Sequence, residues 1–264
     1  MRTRVFSLIP LLLVFAALAH ADDWNKTYEV SGTPELRLVT SDANVRVVAG
    51  TSNKIEAHLT TSNYKVGSGG ISVFEHQTGN AVTIELRYPH NNWNIVWNGN
   101  HRVEMDVTVP ANTKLELKGS DGRVSITDVK GPIIARTSDG SLDIEGADGS
   151  LEARTSDGKM RVTGRFDHLD LQSSDGGITA TALPGSKVAS SWSLHASDGR
   201  VELRIPENLN ANVSLHTSDG HIDVDVPLAV SGRLGTHDIQ GKLNGGGELL
   251  DIHTSDGSIH VGRS

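Results

Sequence analysis

From residue 113 onward, apolar and polar residues alternate in short runs, phased on a recurring word, Ser-Asp-Gly. Its aspartates are Asp121, Asp139, Asp157, Asp175, Asp198, Asp219 and Asp256, at intervals of 18, 18, 18, 23, 21 and 37. Six residues before each stand Leu115, Ile133, Leu151, Leu169, Trp192, Val213 and Leu250, and four before stand Leu117, Ala135, Ala153, Leu171, Leu194, Leu215 and Ile252. Three residues after come Val124, Leu142, Met160, Ile178, Val201, Ile222 and Ile259; five after come Ile126, Ile144, Val162, Ala180, Leu203, Val224 and Val261. Period-two alternation on both sides of a turn predicts two short, half-buried strands per repeat. No stretch of comparable length carries a helical period.

The other end of each repeat also holds turn residues, among them Lys130-Gly131-Pro132, Ala147-Asp148-Gly149 and Leu183-Pro184-Gly185. Each repeat is therefore strand, turn, strand, turn. Two architectures satisfy this, an antiparallel meander and a stack of coils. Whole columns of matching residues favour the stack, since stacking puts equivalent positions in contact. The pattern predicts an all-β, single-domain parallel β-solenoid, β-helix-like, with about 18 residues per coil. The gaps of 23 and 21 become longer loops at the far corner, and the gap of 37 divides into 19 and 18 if Thr236-His237-Asp238 is a degenerate corner.

Residues 22–112 follow the pattern loosely. Thr40-Ser41-Asp42 resembles a corner word with Ala43 in place of Gly, and Gln77 to Leu86 reads as a degenerate strand pair. The run Trp93-Asn94-Ile95-Val96-Trp97, then Asn98-Gly99, then alternating Val103, Met105, Val107 and Val109 predicts a hairpin. The division expected is an irregular, hairpin-bearing cap over 22–112 and regular repeats over 113–264. A solenoid needs such a cap because an open end leaves unpaired strand edges.

The first 21 residues read as a signal peptide: Arg2 and Arg4, an apolar run from Leu8 to Leu18, then Ala19-His20-Ala21. Its removal takes two arginines and no acid, moving the formal net charge from −8 to −10. An acidic exported chain does not suit nucleic acid, which needs clustered Lys and Arg. No second apolar run is long enough to form a transmembrane segment. The expected location is the periplasm, the cell surface or the medium. Absence of cysteine excludes disulfides and thiolate chemistry.

The repeated aspartates pose a choice between a calcium ladder and a structural turn. The order Ser-Asp-Gly lacks the paired glycines of calcium-binding β-rolls. A turn ladder is the expectation, with aspartate accepting backbone N–H groups and Gly122, Gly140, Gly158, Gly176, Gly199, Gly220 and Gly257 taking positive φ. Carboxylates stacked about 5 Å apart repel by about 0.8 kcal/mol per neighbour pair even in water. Two flanking columns are placed to offset this: Lys118, Arg136, Arg154, Gln172, His195, His216 and His253 three residues before, and Arg123, Lys159, Arg200 and His221 among those two after.

Arg136 and Arg154 are also candidate contacts to a polyanionic ligand. Trp93 and Trp97, flanked by Asn91, Asn92, Asn94, Asn98 and Asn100, either hold a sugar by stacking and amide hydrogen bonds or pack over the solenoid's end. Histidines on stacked coils can bind Zn²⁺ or Cu²⁺, yet their spacing matches no compact metal motif. No metal, cofactor or catalytic residue is expected. G-x-S-x-G, H-E-x-x-H and P-loop motifs are absent.

The repeated Ser-Asp-Gly words, with the lead-in Met105-Asp106-Val107-Thr108-Val109-Pro110, Leu115-Glu116-Leu117 and Ser120-Asp121-Gly122, resemble the bacterial DUF4097 family of β-strand-repeat proteins. That resemblance implies a β-solenoid-like fold in an exported or membrane-attached protein, labelled adhesin by analogy and without established catalytic residues. It covers most of the chain after residue 21 and is specific for fold rather than function. The functional expectation is a non-catalytic, adhesin-like or scaffold module of the cell envelope, binding a polysaccharide or protein. The rival from another class is a carbohydrate-active β-helix enzyme of lyase or hydrolase type, using carboxylates or arginine on one face.

Overall fold

Each regular coil contains two short strands joined by two corners. Lys114–Lys118 leads into the corner at Asp121, Val124–Thr127 leaves it, and Ile133–Arg136 returns beside the starting strand. The return is parallel and in register, with Leu115 opposite Ile133 and Leu117 opposite Ala135. The computed structural model describes residues 21–62, 65–89 and 102–264. Trp93, Trp97 and residues 1–20 of the expected signal peptide lie outside the described residues.

Strands that precede the corner aspartates build one sheet, and strands that follow them build the other. The apolar columns point between the sheets into one core, where Leu115, Leu117, Val124 and Ile126 are at most 1% exposed. Each such side chain contributes about 1.5–3 kcal/mol on burial. Leu142–Thr155 and Met160–Ser173 run round the far corner unbroken and join both sheets. Register shifts at Glu145/Ala147 and Gly149/Ser150 make that bend. Glycines with positive φ stand at this far corner, Gly131 at 117° and Gly149 at 125°. None of the Ser-Asp-Gly glycines has positive φ, so that expectation is corrected.

The stack is not in chain order at either end. Named by corner aspartate, the coils run 42, 121, 139, 157, 175, 198, 256, 219. The last coil of the chain lies between its two predecessors: Leu250 is opposite both Trp192 and Val213, and Ile259 opposite both Val201 and Ile222. The first coil is enclosed in the same way. Glu35–Val39 is flanked by Ala81–Arg87 and Lys114–Lys118, and Asn44–Gly50 by Arg102–Pro110 and Val124–Thr127. The gap of 37 therefore holds no extra coil. Leu228–Leu234 and Asp238–Leu243 form a hairpin antiparallel to Ala211–Thr217, and Asp238 starts a strand rather than marking a corner.

Hairpins cover the N-terminal end. Ala21–Glu29 pairs antiparallel with Lys54–Ser62, and Ser72–Thr78 with Ala81–Arg87. A clasp joins these two edges across the core. Lys26 Nζ lies 2.9 Å from Glu75, and the buried Tyr28 hydroxyl donates to the same carboxylate. Burial, reinforced by Glu75, raises the Tyr28 phenol, while Lys26 and Tyr28 hold Glu75 below the usual carboxylate range. At the other end one sheet is extended by the hairpin, and the second stops at Ile222–Val224. A three-residue edge followed by Asp225 and Pro227 is blunted against further pairing.

Candidate functional site

The corners form a continuous backbone ladder. Each serine carbonyl accepts the N–H groups of the serine and aspartate of the next coil, as Ser138 O does from Ser156 N at 2.9 Å and Asp157 N at 3.1 Å. The same pair of bonds recurs through Ser41, Ser120, Ser138, Ser156, Ser174, Ser197, Ser255 and Ser218. Glycine is required here by close approach. A Cβ on Gly158 would lie 1.9 Å from Gly140 O, and one on Gly220 1.9 Å from Gly257 O. Ala43 stands in the glycine's place at the first corner.

A second ladder, which the alternation alone does not announce, lies one residue earlier. Thr155 Oγ1 donates to Ser138 O at 3.0 Å and accepts from Gly158 N at 3.2 Å. Thr217 and Thr254 repeat this arrangement with no exposed surface. The signal was available: hydroxyl residues hold six of the eight places in this column, Thr40, Thr137, Thr155, Ser173, Thr217 and Thr254, with Gly119 and Ala196 in the other two.

The corner aspartates point to solvent. Among the described residues no ion pair within 4 Å reaches any of the seven. The expected electrostatic offset is corrected: the arginines turn the other way, Arg136 to Glu152 at 3.7 Å and Arg154 to Asp170 at 3.4 Å, each on the next coil. Arg123 likewise lies 4.0 Å from Asp143. Partial desolvation, then the neighbouring Asp42 and Asp139 carboxylates, raise Asp121 above its ordinary value. Backbone hydrogen bonds hold the corners against this repulsion.

The column three residues before the aspartates runs Lys118, Arg136, Arg154, Gln172, His195, His253, His216 across consecutive coils. A shallow groove of about 520 Å³ follows it. Arg136, Arg154, Gln172, His195 and His253 line one side, and the serines and threonines of the corners line the other. Its lining contains no carboxylate. The arrangement presents guanidinium, amide, imidazole and hydroxyl donors once per coil.

Towards the C-terminal end the column becomes imidazole. The rings of His216 and His253 are parallel within 2° with centroids 5.0 Å apart, and His195 lies 5.7 Å from His253 on the other side. His195 Nε2 is 3.2 Å from Asp251 Oδ2, and His216 Nδ1 is 2.6 Å from Asp238 Oδ1. On the opposite sheet, Asp223, Asp225 and His260 bring ligand atoms within 4.8 Å of one another. Asp219 and His221, close in sequence, are not part of that group.

Among the described residues no helix is long and apolar enough to cross a membrane. No curated protein matches the chain. Among solved structures, a provisionally named cell adhesion protein from Clostridium sporogenes is 12% identical, covering 93% of this chain and 100% of its own, with a TM-score of 0.35. A provisionally named lipid binding protein from Parabacteroides distasonis is 13% identical, with coverages of 92% and 98% and a TM-score of 0.43. A provisionally named adhesin from Bacteroides fragilis is 9% identical, with coverages of 90% and 96% and a TM-score of 0.30. Likenesses at this level carry no argument about activity or ligand. The family model described as Toastrack DUF4097 matches residues 34–187 and 134–262, two overlapping stretches as a repeated coil allows. By that match, and with the Ser-Asp-Gly corners stacked as coils of one solenoid, the chain belongs to the Toastrack DUF4097 family.

Proposed function

We propose that this protein is an exported, non-catalytic interaction module of the cell envelope whose ladder face binds an extended hydrophilic polymer, a polysaccharide or a protein strand. The observation that carries this reading is the groove along Arg136, Arg154, Gln172, His195 and His253. It offers one polar side chain per coil, at rungs about 4.8 Å apart. Contacts that are weak singly add through avidity when one polymer spans several coils. The signal-like segment containing Arg2, Arg4 and Ala19-His20-Ala21 supports export.

The rival reading, a carbohydrate-active enzyme, calls for two carboxyl groups flanking a glycosidic bond. Glu152 and Asp170, the acids nearest the two groove arginines, are engaged by Arg136 and Arg154. The test is retention on immobilised envelope polysaccharide fractions and capture of envelope proteins. An Arg136→Gln, Arg154→Gln variant should lose at least tenfold in apparent affinity, while a Trp93→Ala, Trp97→Ala variant keeps it. Equal binding by wild type and the arginine variant would refute the groove, and release of new reducing ends from the polymer would turn the reading to catalysis.

A further inference from the structure

We propose that Asp121–Gly122 and Asp198–Gly199 are sites of covalent self-modification, where the corner aspartate closes on the following backbone nitrogen and reopens as isoaspartate. This goes beyond the polymer reading and does not rest on it. All seven corners have the same local sequence, serine before the aspartate and glycine after it. Glycine has no side chain to hinder its own nitrogen, so each corner carries the same intrinsic susceptibility. The corners differ in how the fold holds that nitrogen.

At three corners the hydroxyl column holds it. Gly158 N donates to Thr155 Oγ1 at 3.2 Å, Gly220 N to Thr217 Oγ1 at 3.0 Å and Gly257 N to Thr254 Oγ1 at 3.2 Å. At two others it donates to a serine carbonyl of the preceding coil, Gly140 N to Ser120 O at 2.8 Å and Gly176 N to Ser156 O at 3.4 Å. The hydroxyl column is interrupted at Gly119 and Ala196. Those are the two corners where, among the described residues, the glycine nitrogen, Gly122 N or Gly199 N, finds no acceptor. Both glycines are buried, a rare setting for an unpaired backbone N–H, while Asp121 and Asp198 are exposed. The remaining Asp-Gly pair, Asp148–Gly149, lies inside a strand, and Arg165 Nε grips its carboxylate at 2.9 Å.

The step balances with water as the only co-reactant. The glycine nitrogen attacks the aspartate Cγ, and its proton leaves with the carboxyl hydroxyl as water, closing a succinimide ring. Water then adds at the aspartate's main-chain carbonyl and breaks that carbon's bond to nitrogen, so the chain continues through Cβ and Cγ. Nothing is oxidised or reduced. A nitrogen that donates a hydrogen bond must break it before it attacks, and Gly122 N and Gly199 N have none to break. At Asp121, partial desolvation, then the Asp42 and Asp139 carboxylates, favour the protonated carboxyl from which water leaves. The product lengthens the main chain by one methylene at corners where Asp121 N and Asp198 N donate to Ser41 O and Ser174 O, each at 3.0 Å. The modification therefore loosens a rung of the corner ladder.

The experiment is storage of the folded, untagged protein at pH 6 and 37 °C, followed by peptide mapping; each corner falls in a different tryptic peptide. Electron-transfer fragmentation identifies isoaspartate, and loss of one water identifies the succinimide. Wild type, Gly119→Thr, Ala196→Ser and Thr155→Val are compared, with circular dichroism establishing that each is folded. Wild type in urea gives the rate at each corner of the unfolded chain. In folded wild type, Asp121 and Asp198 should be modified about fivefold or more faster than Asp157, Asp219 and Asp256, the factor that one net hydrogen bond is worth. In urea the corners should react alike. Gly119→Thr should slow Asp121 alone, since a Cβ there meets only ordinary contacts, the nearest 3.6 Å away at Thr137 Oγ1. Ala196→Ser should slow Asp198, and Thr155→Val should bring Asp157 up to the rate of Asp121. The proposal is overturned if Asp121 and Asp198 react no faster than the three hydroxyl-held corners, if the same differences persist in urea, or if the folded variants leave the rates unchanged.

Discussion

Substituting Gly158 by alanine isolates the close approach on which the corner ladder depends. The added Cβ would lie 1.9 Å from Gly140 O and 2.9 Å from Thr155 Oγ1, where a real carbon needs at least 3.0 Å. The corner must therefore back away by more than about 1 Å, because the contact is with backbone at close-packed density. That motion breaks the bonds from Ser156 N and Asp157 N to Ser138 O, now 2.9 and 3.1 Å, and strains Gly158 N to Thr155 Oγ1 at 3.2 Å. At about 1 kcal/mol net for each bond, and more where a buried group is left unpaired, the loss is about 2–4 kcal/mol. For a chain of this size that lowers the melting midpoint by about 5–15 °C. The direction is diagnostic, because Gly→Ala at a site with room and ordinary φ stabilises by about 0.4–1 kcal/mol. Gly245, with nothing within 4 Å of an added Cβ and no positive φ, supplies that comparison. Thermal and urea melts of Gly158→Ala and Gly245→Ala should shift in opposite directions. A Gly158→Ala midpoint at or above wild type would refute the close-approach argument.

Thr155→Val should cost about 1–3 kcal/mol in urea melts, because it strips the hydroxyl that serves Ser138 O and Gly158 N, while Thr155→Ser should cost less. Glu75 is held below its ordinary value, so the clasp contributes stability that is present above the unfolded carboxylate range and lost as pH falls through the folded value. Glu75→Gln should flatten the acid side of the stability–pH curve, and an unchanged slope would show that the clasp adds nothing. Deleting residues 249–264 takes out an interior coil. It should abolish cooperative unfolding and raise hydrogen exchange at Trp192–Ala196 and Ala211–Thr217, whereas an ordinary terminal coil would fray locally.

The coil was legible in the sequence because its register repeats in kind. Leu115, Ile133, Leu151 and Leu169 share a column in the sequence and are direct neighbours in space. The order of coils was not legible, since Leu250 and Ile252 fit beside Trp192 and Leu194 as well as beside Val213 and Leu215. Alternation states which face a residue takes, and any apolar rung packs on any other. The direction of ion pairing was hidden for a related reason. Arg136 has corner aspartates on one side and Glu152 on the other, and spacing along the chain does not choose between them. Glycine composition pointed to the corner, but the reason for glycine there is a neighbouring carbonyl visible only in three dimensions.

The enclosed last coil changes how the molecule would respond to force. In a solenoid stacked in chain order, tension on the C-terminus peels the outermost coil, one rung at a time, from a single interface. Here the strands Leu249–Thr254 and Ile259–Arg263 are gripped on both sides. Tension must draw them from between two neighbours, loading both interfaces at once. Folding meets the same geometry in reverse, because residues 249–263 must enter a slot between coils that precede them in the chain. A stack built this way is fastened from within, with residues 249–263 held at two interfaces rather than one.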